Sequence, residues 1–220
     1  MTIRQPRSSP DLAPSPAAGR GPSAEVRRRV FTAVGELVRR LDYPSVTVDA
    51  VARASGVGRS TIYRHWPSRQ ALVLEAYADV TTRSTPVPDT GDAVEDLRVY
   101  LAELAFCLGF GGADSTLPGL VVDALGDAEF AALFRRVLLG ERRRAFAAIL
   151  VRGQQRGQLR TDADVDVAVD ALYGALHHRL LLSGQVVDGP YVAAVVDVVT
   201  RGLTVPAAGS APGRPTTPGS

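Results

Sequence analysis

The sequence has few of the residues that build disulfide-linked or metal-dependent proteins. Its 220 residues include one cysteine, Cys107, and three histidines, which are His65 and the adjacent pair His177 and His178. A single cysteine cannot close an internal disulfide, and this spacing of histidines matches no common metal site. Disulfide scaffolds and cysteine-based zinc fingers are therefore excluded, and we expect no metal ion and no cofactor.

The sequence also lacks a long apolar run. No segment approaches the roughly 20 uncharged residues that span a bilayer, and the N-terminal stretch, interrupted by proline and arginine, has no apolar signal core. We therefore expect no membrane partner and a cytoplasmic location. Hydrophobic residues still make up 45% of the chain, which is enough for a substantial core in one or two domains.

Lysine is absent, and all 25 basic residues are arginine. Residues 1–70 hold 12 arginines and 5 acidic residues, a net charge of +7, whereas residues 71–220 hold 13 arginines and 18 acidic residues, a net charge of −5. A basic segment attracts polyanions and an acidic one is repelled by them. The two parts of the chain are therefore expected to perform different tasks.

The periodicity of the sequence predicts an all-α fold of about nine helices. Apolar residues recur at helical spacing almost throughout, and alternating patterns are scarce. Residues 1–22 and 204–220 are rich in proline and poor in large apolar groups, so we expect a disordered arm and a disordered tail. The segment 83–92, RSTPVPDTGD, predicts a break between an N-terminal domain over 23–82 and a larger helical bundle over 83–203.

Residues 47–75 predict a helix-turn-helix within a three-helix N-terminal domain. Two short helices are joined by Ser55-Gly56-Val57, and Ser68 is a suitable N-cap for the helix that follows. At 3.6 residues per turn the second short helix directs Ile62 and Trp66 inward, and its outward residues face solvent. A short helix with such an exposed face fits the major groove of DNA.

The same residues carry a family resemblance. The runs Ala54-Ser55-Gly56-Val57, Thr61-Ile62-Tyr63-Arg64-His65-Trp66 and Ser68-Arg69-Gln70-Ala71-Leu72 resemble the DNA-binding signature of the tetracycline-repressor (TetR) family of bacterial transcriptional regulators. The resemblance covers about residues 24–80, and beyond them only the helical layout is similar. It implies a homodimeric, all-helical repressor whose larger C-terminal domain binds a small molecule and dimerises through its last two long helices.

The resemblance also implies roles for individual residues toward double-stranded operator DNA. Tyr63 and Arg69 match residues that contact the phosphate backbone, and Arg59, Ser60 and Thr61 match positions near the groove floor. Arginine can bind guanine O6 and N7, and threonine can contact a thymine methyl group. The remaining candidates are Arg64 and His65, for bases or phosphates, and Thr47, which caps its helix and can also reach a phosphate. In the cell, DNA-bound molecules are expected at the nucleoid.

The C-terminal region predicts a dimer and an effector pocket. The helices expected at about 162–183 and 190–203 are apolar on more than one face, which predicts an isologous interface with a second copy. Buried polar tips need partners, so Tyr173 and His177 are the favoured pocket residues, although each candidate is also compatible with an ordinary core position. The predicted effector is a small hydrophobic molecule, and the candidate pocket residues are Phe106, Cys107, Phe110, Phe130, Phe134, Tyr173 and His177.

Three function classes follow from these patterns. The first is a ligand-responsive transcriptional repressor that releases its operator when the effector binds. The alternative is a constitutive or architectural DNA-binding dimer with no effector, which predicts a bundle without a cavity. An enzyme ranks third, because the sequence contains no Gly-x-Ser-x-Gly, no His-Glu-x-x-His and no phosphate-binding loop. We therefore expect no catalytic residues.

Overall fold

The computed structural model describes residues 21–107 and 116–204, and these residues form nine α-helices. The first four are α1 (Ala24–Arg40), α2 (Val48–Ser55), α3 (Arg59–His65) and α4 (Arg69–Ser84), with a 3₁₀ turn at Tyr43–Ser45 between α1 and α2. They are followed by α5 (Ala93–Cys107) and α6 (Thr116–Gly126). Within the described residues the sole β-type pairing is one isolated bridge between Leu159 and Thr204, so the predicted all-α class is confirmed.

The last three helices include two π-helical turns. Helix α7 runs without a break through Ala128–Phe134, a π-helical turn at Arg135–Leu139, and Gly140–Gln155. Helix α8 (Val165–His177) continues into a second π-helical turn at His178–Ser183, and α9 covers Gly189–Arg201. The helices predicted at about 162–183 and 190–203 are both present. Sequence periodicity did not reveal either π turn.

Most helix starts are explained by a polar side chain that accepts hydrogen bonds from the first free backbone N–H groups. Thr47 caps α2 and Ser68 caps α4, as the sequence predicts, through bonds of 3.2 and 3.1 Å to the amides of Ala50 and Ala71. Helix α8 begins three residues after the predicted start at about 162, because Asp164 is its cap and accepts hydrogen bonds from the amides of Asp166 and Val167.

Helices α1–α4 surround a small core in the N-terminal part of the chain, which we call the head. The side chains predicted to fill it are buried, with Val51 and Ile62 at 0% exposure and Trp66 at 1%. Trp66 packs against Phe31 of α1, with 5.6 Å between ring centroids, and its indole N–H donates to Glu75 of α4 at 3.0 Å. These contacts fix α3 against its two neighbouring helices.

Helices α5–α9 form the bundle, and α4 connects it to the head. The bundle core consists of apolar residues at helical spacing from four helices, among them Leu97, Leu101, Leu104, Phe146, Ile149, Leu172, Leu176 and Val196. Helix α4 contacts α1 in the head and α5, α6 and α7 in the bundle. Its residues Leu72, Val73 and Leu74 are all fully buried, which is typical of a helix with packing partners on every side.

Some predictions fall on residues outside the described ranges. They are nearly all of the arm over 1–22, most of the tail over 204–220, and the effector candidate Phe110. The division into domains at 82/83 stays a prediction. Among the helices of the described residues, none is both long enough and apolar enough to cross a membrane.

Candidate DNA-binding face and effector cavity

The turn between α2 and α3 depends on a glycine in the left-handed backbone region. Gly56 has φ 65°, and its N–H donates to the carbonyl of Ala52 to close α2. The guanidinium of Arg29 on α1 donates to the carbonyl of Ser55 at 2.6 and 3.0 Å. A Cβ added to Gly56 would lie 2.7 Å from Nη2 of that arginine. The positive φ therefore favours glycine here, and a larger residue would also displace the end of the Arg29 side chain.

Helix α3 presents one polar face to solvent. Ile62 is fully buried, whereas Arg59, Ser60, Tyr63 and Arg64 are exposed. The other two DNA-binding candidates on this helix, Thr61 and His65, are partly exposed. The structure thus brings six candidates together on one short helix, and Thr47 lies exposed at the start of α2.

The contacts on this face leave its polar groups accessible to DNA. Arg59 pairs with Asp49 of α2 at 3.0 Å, and both side chains are about half exposed or more. Arg64 donates to Thr61 Oγ1 at 3.3 Å, and the His65 ring lies edge-on to Trp66, 5.9 Å away. Exposed pairs of this kind contribute little stability, so their exchange for phosphate or base contacts costs little free energy.

Arg69 differs from the other candidates because its side chain is turned toward the bundle. Its Nη1 donates to the carbonyl of Tyr43 at 2.9 Å, its Nη2 donates to Asp123 of α6 at 3.2 Å, and its guanidinium lies over the Tyr43 ring at 4.3 Å. Sequence reasoning assigned this residue to phosphate alone and did not identify these partners. Its predicted contact with DNA stays a prediction that requires this arrangement to change.

Tyr43, Arg69, Gly119 and Asp123 form what we call the junction between head and bundle. The Tyr43 hydroxyl donates to Asp123 Oδ2 at 2.6 Å, and burial together with this bond raises the pKa of Tyr43 above its usual range. Gly119 of α6 lies so close to the Tyr43 ring that an added Cβ would be 2.1 Å from it. The junction therefore holds the start of α4 and the 3₁₀ turn against α6.

Three of the predicted effector residues line one cavity in the bundle. This cavity, which we call the Tyr173 cavity, has a volume of about 450 Å³ and is lined by α6, α7 and α8. Phe134, Tyr173 and His177 contribute to it, together with apolar neighbours such as Leu139 and Leu181. At its edge Arg143 is neutralised by Asp166 and Asp170. The lining is largely apolar with a few polar groups, which is typical of sites for small molecules.

The remaining predicted effector residues lie elsewhere in the described structure. Phe106 is 76% exposed on the outer face of α5, because the inner face of that helix is taken by its leucines. Phe130 lines a separate groove with Pro67 and Glu75. Cys107 lines a small cavity with Val34 and other residues of α1 and α4. The structure therefore separates a set that the sequence grouped together.

Sequence reasoning missed a buried arginine next to the Tyr173 cavity. Arg142 is 4% exposed, and its Nη1 donates to the Tyr173 hydroxyl at 2.7 Å. A sequence signal was available, because Leu138, Arg142 and Phe146 repeat every four residues on α7. That spacing puts them on one face of a helix, so the arginine interrupts an apolar stripe.

Burial and the charge of Arg142 together set the protonation of this region. His177 stacks edge-on against Tyr173, with 4.0 Å between ring centroids. Burial, with the nearby positive charge of Arg142 as the second cause, lowers the pKa of His177 to about 4. Burial also raises the pKa of Tyr173, although Arg142 counteracts part of this effect. At neutral pH the cavity thus has a neutral imidazole and a neutral phenol at its polar end.

No metal site accompanies these groups in the part of the chain that the structure describes. Within it, no three histidine, cysteine, aspartate or glutamate side chains come close enough together to hold an ion.

Comparisons with known proteins agree with this arrangement. Residues 36–76 match the family model described as bacterial regulatory proteins of the tetR family, and residues 87–199 match that of the tetracyclin repressor-like C-terminal domain. The crystal structure of the TetR family transcription regulator SCO0332 is 37% identical, with a TM-score of 0.73 over 81% of this chain and 98% of that chain.

Two further proteins extend the comparison. The uncharacterised HTH-type transcriptional regulator YdeS of Bacillus subtilis is 29% identical over 186 residues, which cover 84% of this chain and 93% of YdeS. The regulator FadR of Bacillus subtilis, solved in complex with stearoyl-CoA, shares the fold at 19% identity and a TM-score of 0.60, over 80% of this chain and 98% of FadR.

Two glycine substitutions with opposite expected effects on stability test the backbone conformation of Gly56. Gly56→Ala places a side chain at φ 65° and is expected to lower the free energy of unfolding by about 1 to 2 kcal/mol. Gly35→Ala, within α1 and with open space around an added Cβ, is expected to raise it by up to about 1 kcal/mol through helix propensity. Urea denaturation at one protein concentration measures both, and equal effects would contradict the assignment.

His177 predicts a pH dependence of stability. Below about pH 6.5 the unfolded chain binds a proton that the folded chain resists until about pH 4, so stability falls as the pH decreases through this range. The loss amounts to up to about 3 kcal/mol. The variant His177→Gln is expected to flatten this part of the stability profile, measured by denaturation between these pH values. The neighbouring exposed His178→Gln is the control, and equal flattening in both variants would refute the prediction.

Proposed function

This chain belongs to the TetR family of transcriptional regulators, and we propose that it represses transcription as a homodimer that releases its operator when a small hydrophobic molecule enters the bundle. The observation that carries the proposal is the exposed polar face of α3, held at a fixed angle by the buried Ile62 and Trp66. Transcriptional regulation, rather than catalysis, is the activity of the family that the chain matches.

The charge and shape of the head support contact with operator DNA. Arg59, Ser60 and Thr61 occupy the N-terminal half of α3, the part of a recognition helix nearest the base edges. In the proposed complex, Arg59 leaves Asp49 for a guanine, and Tyr63 contacts a phosphate from the flank of the helix. Arg64, His65 and Thr47 add contacts around them. Two-fold symmetry of the protein implies a pseudo-palindromic operator.

Exposed apolar residues on the last two helices support the homodimer. Val167 and Leu182 on α8 are 64% and 79% exposed, and Val198 on α9 is 71% exposed. Large apolar side chains at this exposure favour burial against a partner. A second copy meeting these helices forms an isologous four-helix interface, and homodimers are typical of the family.

The Tyr173 cavity supports an effector with an apolar body and a polar group. Its volume suits a small molecule, and FadR, which shares the fold, was solved with stearoyl-CoA. Helix α6 lines this cavity through Val121 and carries Asp123 of the junction. A ligand that displaces α6 therefore acts on Arg69 and the start of α4, next to the recognition helix. A bundle without a cavity would favour the alternative of a constitutive dimer, and the Tyr173 cavity instead favours a ligand-responsive protein.

The proposed roles of Arg59 and Tyr63 predict two different patterns of lost DNA affinity. With a randomised duplex library, Arg59→Ala is expected to relax the preference at one base position, with a loss of about 1 to 3 kcal/mol there. Tyr63→Phe is expected to weaken all sequences alike, because phosphate contacts carry no sequence information. Arg201→Ala, exposed at the end of α9, is the control. A change of base preference in Tyr63→Phe but not in Arg59→Ala would show that the roles are wrongly assigned.

One charge introduced into the proposed dimer interface is expected to separate the subunits. Val198→Asp is expected to convert a dimer to a monomer at micromolar concentration, as measured by light scattering, because the charge loses hydration on association. Leu125→Asp alters a residue that is 84% exposed on α6 and is expected to remain dimeric. A monomeric unaltered protein, or a dimeric Val198→Asp, would rule out this interface.

Operator release predicts reciprocal coupling between ligand and DNA. A compound from a hydrophobic library that binds the free protein is expected to bind the operator complex about 5- to 150-fold more weakly by calorimetry. Gly174→Leu fills part of the Tyr173 cavity, since an added Cβ meets open space there, and is expected to lose the compound. Position 174 lies on the same face of α8 as Val167 and Leu182, so light scattering first has to show that the variant is dimeric, and its DNA affinity is then expected to be unchanged. Ala128→Leu at the exposed start of α7 is the control. Equal binding in both states would leave a pocket without an induction mechanism.

A further inference from the structure

Arg142 carries a positive charge that no carboxylate in the described part of the chain neutralises. Its guanidinium makes two hydrogen bonds, to the Tyr173 hydroxyl at 2.7 Å and to Thr81 Oγ1 of α4 at 3.1 Å. It also lies 6.0 Å from the ring centres of Tyr77 and Tyr173. All four contacts are with uncharged groups, and no carboxylate oxygen of the described residues comes within 4.0 Å of it, the distance that defines an ion pair.

A buried charge without a charged partner is unusual in proteins. Removing a guanidinium from water is expensive unless a counter-ion or several hydrogen bonds replace the lost hydration. Hydroxyl groups and tyrosine faces replace only part of it. The same charge reaches His177, where it adds to burial, the larger cause, in lowering the pKa of the imidazole. The site therefore favours an anion.

Space for an anion exists beside this side chain. Arg142 lines a second cavity of about 340 Å³ between α4, α5 and α7, which we call the Arg142 cavity. Two other arginines line it, but both are already paired, Arg144 with Glu141 and Arg152 with Asp89 and Asp96. Among the described residues that line this cavity, Arg142 is thus the cation that still lacks a carboxylate.

The structure assigns a new binding site on this basis: we propose that Arg142 binds the carboxylate of a small amphipathic acid in the Arg142 cavity. One uncompensated positive charge matches a monoanion, and the planar guanidinium can hold a carboxylate through two parallel hydrogen bonds. The apolar body of the ligand would pack on Val87, Leu104 and Ala148, which line the same cavity. The site is separate from the Tyr173 cavity, although the Arg142–Tyr173 hydrogen bond connects the walls of the two.

An acid bound at Arg142 also affects α4, the helix that connects the head and the bundle. The guanidinium bridges Thr81 on α4 to Tyr173 on α8. A carboxylate that takes over the Nη groups competes with both hydroxyls for them, and so removes a contact that holds the C-terminal half of α4. This consequence rests on the proposed repressor function, whereas the binding of the acid does not.

Calorimetry on the full-length protein without DNA tests the site with three probes that share one apolar chain. In low-chloride buffer at neutral pH, octanoate is expected to bind at least about 10-fold more tightly than octanol or octylammonium. Arg142→Met is expected to reduce the octanoate affinity to that of octanol. The double variant Glu141→Gln with Arg144→Met, which removes a neutralised pair that lines the same cavity, is expected to leave the preference unchanged.

Two further variants distinguish a loss of octanoate binding from misfolding and from binding in the Tyr173 cavity. If Arg142→Met does not fold, Arg142→Lys retains the charge but loses the planar fork, and octanoate binding is expected to fall several-fold while octanol binding does not. Gly174→Leu, which fills the Tyr173 cavity, is expected to leave octanoate binding intact. The proposal is overturned if octanoate does not bind, if octanol binds equally well, or if the preference persists without the arginine. If octanoate binds but DNA affinity is unchanged, the result supports the binding site and contradicts only the proposed effect of the acid on operator release.

Discussion

The fold depends on one helix that packs into two hydrophobic cores, that of the head and that of the bundle. Helix α4 packs against α1 on the head side and against α5, α6 and α7 on the bundle side. For this reason Leu72, Val73 and Leu74, which point in three directions around the helix, are all fully buried. A helix with no solvent face along these residues cannot shift without repacking one core or the other. Helix α4 therefore couples the packing of the head to the packing of the bundle.

Much of the head follows from local rules in the sequence. Thr47 and Ser68 cap their helices, Gly56 makes the left-handed turn, and Ile62 and Trp66 fill the core. The caps and the turn depend on neighbours within a few residues, and the inward direction of Ile62 and Trp66 follows from helical spacing, so residue type and spacing are sufficient to predict them. The face of α3 then follows from helical geometry, because a helix with one buried side exposes the other.

The sites in the bundle were less predictable because they depend on contacts between distant segments. Phe134, Tyr173 and His177 share a cavity, but Phe106 faces solvent, and nothing local distinguishes these aromatic residues. The partners of Arg142 lie 31 and 61 residues away along the chain. The two π-helical turns were not predictable from periodicity either, since such turns are rare and occupy a single turn within an α-helix.

The close contact at the junction limits how this regulator can be recombined with its relatives. The ring of Tyr43 occupies the space in which any side chain at position 119 would begin, and its hydroxyl shares Asp123 with Arg69. Two of these four residues belong to the head and its connecting helix, and two belong to α6. A chimera that joins this head to a foreign bundle must carry Gly119 and Asp123 with it, and sequence changes at position 43 are expected to accompany changes at position 119 during evolution.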